Sequence, residues 1–348
     1  MFVADRSPDR SPDRSQAPVP DRTTDHTTER GHGAVKMHET DAPPPPPSHA
    51  DGEPRALQHA ESSGFASAAD GTRLYFRHSD ATEGPVHAVL SDGILCDGFI
   101  WKYLWGQLAG RMPVTHWHYP GHGRSARPAD DDRLDIPSLA ADLHAVAKAT
   151  GDAPRVLFGH SMGVQVCLEA YHLAPEKVRG LVLFCGSFGK VTASFRGVPI
   201  LDVLLPKLTE IANKSPHIVR ALWSRIPADV AMKMARKAGD VDAAKIRDED
   251  MLPYLQHMTH VDFPLFLRML RGAGDHTAED YLADVDVPVL VVAGEKDTFT
   301  PASLSEHMAK RMPKSKLVVI ASGSHAAPIE QPDVVFEHVR AFLDALPA

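Results

Sequence analysis

Short apolar runs alternate with amphipathic stretches along most of the chain, and this rhythm predicts the fold class. Strand-like runs bounded by turn residues lie at 71–77, 87–91, 114–119, 155–158 and 181–185. Helix-like patterns lie between or after them, at 100–108, 136–149 and 164–173. Apolar strands that alternate with helices form parallel sheets with both faces covered. We therefore predict an α/β fold with a mostly parallel, doubly wound sheet.

The alternation stops between residues 187 and 283, where the patterns are helical throughout. They lie at 200–211 (interrupted by Pro206), 217–224, 228–237, 248–260 and 264–270. Strand-like runs then resume at 287–293 and 316–320, followed by a closing helix over 334–346. We predict a core domain built from 63–186 and 284–348 and a helical cap over 187–283. A cap of this kind excludes water and shapes the substrate pocket.

The first 62 residues differ in composition from the rest of the chain. Ser7-Pro8-Asp9-Arg10 is repeated directly at 11–14, and prolines occupy positions 43–47. Few residues there can contribute to a core, so we predict a disordered, low-complexity tail over 1–62. The tail has no continuous apolar stretch typical of a signal peptide, and Met37 offers an alternative start.

Composition and charge narrow the class of function. The formal net charge of -8 argues against a general nucleic-acid binder. Three cysteines without paired spacing do not make a disulfide framework, which predicts a cytoplasmic protein. No apolar run has the length of a membrane span, and no glycine pattern fits a phosphate loop or a dinucleotide fold.

The most informative motif is Gly159-His160-Ser161-Met162-Gly163, directly after the strand-like run at 155–158. A Gly-x-Ser-x-Gly turn between a strand and a helix is typical of a nucleophile elbow, which exposes a serine hydroxyl at the carboxyl end of a sheet. Glycines suit this turn because a Cβ would obstruct it. Ser161 is therefore the candidate nucleophile.

An acid and a histidine follow Ser161 in the chain order that such a sheet requires of a triad. Asp297 lies in the polar loop after the run at 287–293, and His325 follows the run at 316–320. A serine hydroxyl needs a base to take its proton, and the imidazole needs an acid to fix its tautomer. Asp297 and His325 are the candidates for these roles, and Glu295 is a competing acid.

Two backbone N–H groups are candidates for an oxyanion hole. Asp92-Gly93-Ile94 follows the strand-like run at 87–91, and its glycine lets the loop present the Ile94 N–H. The Met162 N–H, directly after the candidate nucleophile, is the second donor. A plain Asp-Gly turn is the alternative interpretation of the first loop.

Taken together, these motifs resemble the α/β-hydrolase superfamily, in its cap-bearing esterase, haloperoxidase-like and carbon–carbon hydrolase branch. The resemblance covers about residues 65–348 and includes the Pro-Gly-His-Gly-Arg-Ser loop at 120–125. It implies an α/β-hydrolase fold. It also implies three catalytic roles, namely the nucleophile for Ser161, the general base for His325 and the orienting acid for Asp297.

One position departs from the family pattern. Members usually carry His-Gly where this chain has Asp92-Gly93, and that histidine orders the oxyanion loop. An acid there opposes anionic charge unless it points away or bonds the loop backbone. The neighbouring Cys96 is a candidate substrate-binding residue, as are Phe188 and Phe266 of the predicted cap, with packing as the alternative role for each.

His116, His118 and His122 form a competing chemical pattern. Alternate residues on a strand face the same side, so two of these imidazoles have metal-ligand spacing. No Asp or Glu lies within the cluster, and His122 already belongs to the loop at 120–125. We therefore predict no metal site.

The sequence thus predicts a serine hydrolase that cleaves an ester, thioester or lactone of a small-to-medium apolar substrate through an acyl-enzyme. No metal or organic cofactor is required, and the expected partner is a small acyl substrate rather than nucleic acid or a membrane. The same triad serves acyl transfer, cofactor-free perhydrolysis and carbon–carbon bond hydrolysis, which stay open as alternatives. A non-catalytic ligand binder on the same fold is a further alternative.

Overall fold

The computed structural model describes residues 61–80, 84–151, 153–190, 200–223 and 245–347, with isolated residues between 225 and 242. The predicted tail, apart from its last two residues, lies outside this part of the chain, as does half of the helix predicted over 228–237. None of the described helices combines the length and the apolar character that crossing a membrane requires.

The described strands form one eight-stranded sheet. In chain order they are β1 Glu61–Ser67, β2 Arg73–Ser79, β3 His87–Ser91, β4 Val114–Trp117, β5 Arg155–His160, β6 Val178–Phe184, β7 Val289–Gly294 and β8 Ser315–Ile320. Their order in the sheet is β1-β2-β4-β3-β5-β6-β7-β8. β2 pairs antiparallel with β1 and with β4, and the other neighbours are parallel. The predicted mostly parallel α/β sheet is confirmed.

The described helices flank the sheet and occupy parts of the long interval between β6 and β7. In chain order they are α1 Lys102–Ala109, α2 Ile136–Ala149, α3 Met162–Leu173, α4 Ile200–Lys214, α5 Pro216–Trp223, α6 Asp248–His260, α7 Phe263–Asp275, α8 Ala302–Arg311, α9 Ala327–Glu330 and α10 Pro332–Asp344. Pro206 lies inside α4, which continues through it rather than being interrupted. The proline is exposed, so its ring meets solvent on that side of the helix.

Both faces of the sheet are covered, as its continuous apolar strands require. On one face, Val166 of α3 packs in the same core as Leu157 of β5. On the other face, Leu104 of α1 and Val339 of α10 pack in the same core as Phe158 of β5. Successive strand residues point to opposite faces, so β5 is buried from both sides and holds its carboxyl end rigidly.

The helices between β6 and β7 pack at the carboxyl ends of the parallel strands. Tyr254 of α6 stacks on Phe99, which follows the loop after β3, with ring centroids 4.5 Å apart. At the end of α7, the Ala273 carbonyl accepts a 2.9 Å hydrogen bond from Gln165 Nε2 in the first turn of α3. Ligands of open α/β sheets bind at this end of the strands.

β1 extends the sheet beyond the strand that the sequence pattern places first. The predicted strand at 71–77 corresponds to β2, and β1 pairs with β2 along its whole length. Ala66 is the one buried residue of β1, so the strand has little of the apolar alternation that marks a strand in a sequence. Glu61 and Ser62, which the sequence analysis assigns to the tail, belong to this strand.

Candidate active site

Ser161 lies in the turn between β5 and α3, where the chain reverses direction sharply. Its φ of 55° and ψ of -118° belong to a region that residues with a Cβ rarely adopt. A Cβ at Gly163 would strike the backbone of Ser91 at the end of β3, and a Cβ at Gly159 would strike the Gly163 backbone. The Ser161 N–H donates a 3.0 Å hydrogen bond to the Phe184 carbonyl. The backbone at Ser161 thus makes the sharp turn that the glycine pattern predicts.

Asp297 and His325 form a hydrogen-bonded pair in the loops after β7 and β8. His325 Nδ1 lies 2.9 Å from Asp297 Oδ2. Asp297 also accepts bonds of 2.9 Å from the N–H groups of Phe299 and Thr300, and one of 2.8 Å from the Thr300 hydroxyl. Burial acts to raise the pKa of Asp297, but the charge of His325 and these hydrogen bonds outweigh it and hold the pKa below its ordinary value. The ionised carboxylate therefore keeps a proton on His325 Nδ1.

Two other carboxylates brace the loop that carries His325. Glu295, the competing acid, accepts a 2.7 Å hydrogen bond from the Ser322 N–H. Glu330 accepts hydrogen bonds of 2.9 Å from the Ser324 N–H and 2.5 Å from the Ser324 hydroxyl. This bracing role of Glu330 is not predicted from the sequence. The sequence signal for it is the family-like pattern of a Glu and a Pro downstream of Ser324-His325.

Two contacts bring Ser161 together with the loop of His325 and the loop after β3. His160 Nε2 donates a 2.9 Å hydrogen bond to the His325 carbonyl, and the two imidazole rings lie 4.9 Å apart. A Cβ on Gly93 would lie 3.0 Å from the Cβ of Ser161. The segments that carry the predicted nucleophile, base and oxyanion donors therefore meet at one end of the sheet.

Of the predicted oxyanion donors, Met162 directly follows Ser161 in the chain, and Ile94 follows Gly93, which is in contact with Ser161. Met162 begins α3, and the first N–H groups of a helix have no acceptor within that helix. For the Ile94 N–H, no hydrogen-bond acceptor is found within the described ranges. Cys96 closes the loop, because its N–H donates to the Gly93 carbonyl at 3.3 Å. Burial raises the pKa of the Cys96 thiol well above its ordinary value, so the thiol is neutral.

The side chain of Asp92 is buried and bonds two other buried side chains. Its Oδ1 accepts a 2.7 Å hydrogen bond from Trp101 Nε1, and its Oδ2 lies 2.8 Å from His116 Nε2. Its carbonyl accepts a 2.7 Å hydrogen bond from the Tyr119 hydroxyl. Burial raises the pKa of Asp92 to about 7, against the lowering effect of the Trp101 hydrogen bond and the charge of Arg77. This carboxyl therefore braces the loop after β3.

Phe188 and Phe266, two of the predicted substrate-binding residues, both make packing contacts. Phe188 stacks on His307 with ring centroids 4.9 Å apart. Phe266 of α7 stacks on Trp223 of α5 at 5.9 Å and lies 5.8 Å from Phe263. These contacts fit the packing role that the sequence left open, and substrate binding by either residue stays a prediction.

Each histidine of the cluster at 116–122 has a separate partner. His116 pairs with Asp92, as described above. His118 Nδ1 accepts a 2.8 Å hydrogen bond from the Arg124 N–H. His122 Nδ1 lies 3.1 Å from the carbonyl two residues before it. Over the part of the chain that the structure describes, no group of three or more His, Cys, Asp or Glu side chains is arranged to hold a metal ion.

Comparison with known families and proteins adds to this geometry. The model of the alpha/beta hydrolase fold family matches residues 113–332. Protein ABHD8 of Bos taurus is 28% identical over 228 residues, which cover 64% of this chain and 48% of that protein. A pimeloyl-(acyl-carrier protein) methyl ester esterase of Neisseria meningitidis is 28% identical over 238 residues, covering 65% of this chain and 81% of the esterase. The chain spans about half the length of the first of these relatives.

A solved structure also shares the architecture. An esterase from Exiguobacterium antarcticum superposes with a TM-score of 0.64 at 19% identity, over 81% of this chain and 99% of that one. At this level of identity the similarity establishes the fold alone. The roles of individual residues therefore depend on the contacts described above.

Proposed function

The chain belongs to the α/β hydrolase fold family, and we propose that it is a serine hydrolase that cleaves an ester, thioester or lactone. The observation that carries the proposal is the 2.9 Å hydrogen bond between His325 and the buried Asp297, at the end of the sheet where Ser161 makes its strained turn. A serine hydroxyl becomes a useful nucleophile when a base of this kind is oriented by an anion.

In the proposed reaction, Ser161 Oγ attacks the substrate carbonyl while His325 Nε2 takes the hydroxyl proton. Asp297 holds the other imidazole proton on Nδ1, which leaves the Nε2 lone pair free to act as the base, and it stabilises the imidazolium that forms. His325 then gives the proton to the leaving alcohol or thiol. Water repeats the sequence on the acyl-enzyme, releases the acid and restores Ser161.

The backbone supplies the stabilisation of the transition state. The N–H groups of Ile94 and Met162 are the proposed donors to the developing oxyanion, and one such donor is worth about 3 kcal/mol in known acyl-transfer enzymes. Because the Asp92 side chain bonds Trp101 and His116, its charge is directed away from this oxyanion. The departure of this chain from the family pattern at Asp92 is therefore compatible with the mechanism.

We propose an apolar, small-to-medium acyl substrate. Three aromatic side chains of the inserted helices pack together near the carboxyl end of the sheet, namely Trp223, Phe263 and Phe266. We also propose that the helices between β6 and β7 act as a cap. A reducing, cytoplasmic location fits the three cysteines, which are all unpaired and buried.

A series of p-nitrophenyl esters of increasing acyl length tests the proposed function. We expect turnover in the wild type, with an optimum that gives the length of the acyl pocket. Asp297→Asn lowers kcat about 10⁴-fold if the carboxylate fixes the tautomer of His325. The matched control is Glu295→Gln, two residues away, which we expect to stay within about threefold of the wild type because Glu295 bonds the Ser322 backbone instead.

The same series separates the rival reactions. Hydrolysis as the main outcome supports the proposal, whereas products formed with added alcohols, thiols or peroxide point to acyl transfer or perhydrolysis. Equal rates for Asp297→Asn and the wild type would contradict the assigned role of this carboxylate.

A further inference from the structure

Two imidazoles that the proposed reaction does not use face each other beside the loop after β3. His122, in the loop after β4, and His257, on α6, have ring centroids 6.0 Å apart. His122 has no exposed surface, and the side chain of His257 is 10% exposed. Burying a polar nitrogen without a hydrogen-bond partner costs free energy. The partner of each of the four ring nitrogens therefore matters.

The protonation of His122 follows from its neighbour. Its Nδ1 lies 3.1 Å from the Pro120 carbonyl, which can only accept a hydrogen bond, so Nδ1 carries the proton. Burial lowers the pKa of His122 to about 4, so the ring is neutral near pH 7. The other nitrogen, Nε2, is then an acceptor. It is buried and has no partner among the residues that the structure describes.

The protonation of His257 follows in the same way. Its Nδ1 lies 3.4 Å from Asp97 Oδ2, and a carboxylate favours a proton on the nearest ring nitrogen. Burial lowers the pKa of His257 to about 4, so this ring is also neutral. Its Nε2 is a second buried acceptor without a partner in the described part of the chain.

The two imidazoles lie along the loop that borders the proposed nucleophile. Gly93 of this loop is in contact with Ser161, as shown above, and Asp97 of the same loop faces His257. Tyr119 joins the other imidazole to the loop, because its ring lies 6.0 Å from that of His122 and its hydroxyl donates to the Asp92 carbonyl. Both imidazoles therefore border the loop whose Gly93 is in contact with Ser161.

We propose that His122 Nε2 and His257 Nε2 form a subsite that accepts hydrogen bonds from a hydroxyl or amide N–H group of the substrate. The inference rests on the proposed function and refines it, because it adds one donor group to an otherwise apolar substrate. A site built to hydrogen-bond a substrate group discriminates strongly against an analogue that lacks it, since the buried acceptors are then left unpaired.

The test compares p-nitrophenyl butyrate with esters of the same chain length that carry one added group. The added groups are a hydroxyl at each acyl position in turn, a terminal primary amide, and the methyl ether of each hydroxyl ester. The ether keeps the oxygen but has no donor hydrogen. The quantity measured is the ratio of kcat/KM for each ester to kcat/KM for the butyrate.

The variants are His257→Phe and His122→Phe, with His260→Phe as the matched control. His260 lies on the same helix as His257, is exposed and bonds the Gln256 carbonyl instead. We expect at least one hydroxyl or amide ester to be preferred by about tenfold or more in the wild type and in His260→Phe, with no preference for its ether. The preference falls to about twofold or less in His257→Phe and in His122→Phe. Thermal melting identifies a variant that has failed to fold, and the other variant then decides.

Two results would overturn the subsite. One is an active wild type that prefers no donor-bearing ester, in which case water alone satisfies the two nitrogens and serine hydrolysis stands. The other is a preference that persists in a folded Phe variant. Loss of all ester turnover and of labelling at Ser161 in the wild type is a different result, because it removes the proposed function and the subsite with it.

Discussion

At the scale of single residues, the carboxyl of Asp92 sets the character of the loop beside Ser161. It is buried and bonds Trp101 and His116, and burial raises its pKa to about 7. An acid whose pKa is raised on folding binds a proton that the unfolded chain has already released. Its contribution to stability is therefore fully present below the ordinary value of 3.8 and is lost as pH rises toward about 7.

Asp92→Asn tests this account, because asparagine keeps an acceptor for Trp101 Nε1 and a donor for His116 without titrating. We expect the free energy of unfolding of the wild type, relative to that of the variant, to fall as pH rises from about 4.5 to 8. This interval is about as wide as the difference between the ordinary and the raised pKa of Asp92. Thermal melts of both proteins at several pH values measure this difference. A difference that is constant with pH would contradict the raised pKa.

The local sequence pattern indicated those candidate residues that belong to a short motif or follow a predicted strand. The glycines around Ser161 indicate the sharp turn, and Asp297 and His325 follow their strands in the order that a triad requires. The bracing by Glu330 and the pairing of Asp97 with His257 were not predicted. Asp97 and His257 come from different parts of the chain, so no local pattern encodes their contact.

At the scale of elements, α6 is fixed to the core by a buried carboxylate. Asp250 accepts hydrogen bonds from Lys102 Nζ at 2.9 Å and the Tyr103 hydroxyl at 2.8 Å, both on α1. Arg247 Nε adds a third at 3.1 Å. Burial acts to raise the pKa of Asp250, but the hydrogen bonds from Arg247, Lys102 and Tyr103 outweigh it and lower the pKa. This anchor holds the helix that carries His257.

Asp250→Ala removes the anchor and is expected to destabilise the fold by about 1–3 kcal/mol, as for loss of hydrogen bonds to a buried charged group. Asp248→Ala is the matched control on the same helix, because Asp248 is exposed and its pairing with Arg236 is worth about 1 kcal/mol or less. Denaturant melts measure both variants at neutral pH.

The contribution of Asp250 to stability depends on pH. The pKa of Asp250 is lowered on folding, so its contribution is present above the ordinary value of 3.8 and is lost as pH falls through the lower folded value. The difference in free energy of unfolding between the wild type and Asp250→Ala should become smaller at acidic pH. Equal destabilisation by Asp250→Ala and Asp248→Ala would contradict the anchor.

Elements whose apolar residues recur with a clear helical or strand spacing were predicted closely, and elements without such a spacing were not. The helices over 136–149 and 248–260 have the predicted bounds, because each carries a clear helical pattern. β1 was not predicted, since it is an edge strand with one buried side chain. The interruption expected at Pro206 was wrong, because a single exposed proline inside α4 does not end that helix.

At the scale of the whole molecule, the sheet brings loops that are distant in the sequence together at the carboxyl ends of its parallel strands. The loops after β3, β5, β7 and β8 meet there because those strands run parallel. The alternation of strands and helices predicts this convergence. β1 adds the outer edge of the sheet, where Arg73 of β2 lies over the Phe65 ring and Trp105 donates to Glu61 at 2.6 Å.

Two truncations test where the folded unit begins. A chain that starts at Met37 is expected to keep the melting temperature and ester turnover of the full chain, because the removed residues offer little to a core. A chain that starts at Gly71 loses β1, and its melting temperature should fall by at least about 2–4 °C. Equal melting temperatures for all three chains would show that β1 contributes nothing to stability.

The central claim is that Ser161 is the nucleophile, and a fluorophosphonate probe tests it most directly. The probe forms a covalent bond with an activated serine hydroxyl, and peptide mass mapping then locates the adduct. We expect one adduct on Ser161 in the wild type, and neither labelling nor ester turnover in Ser161→Ala. An adduct on another residue, or turnover that survives in Ser161→Ala, would contradict the account.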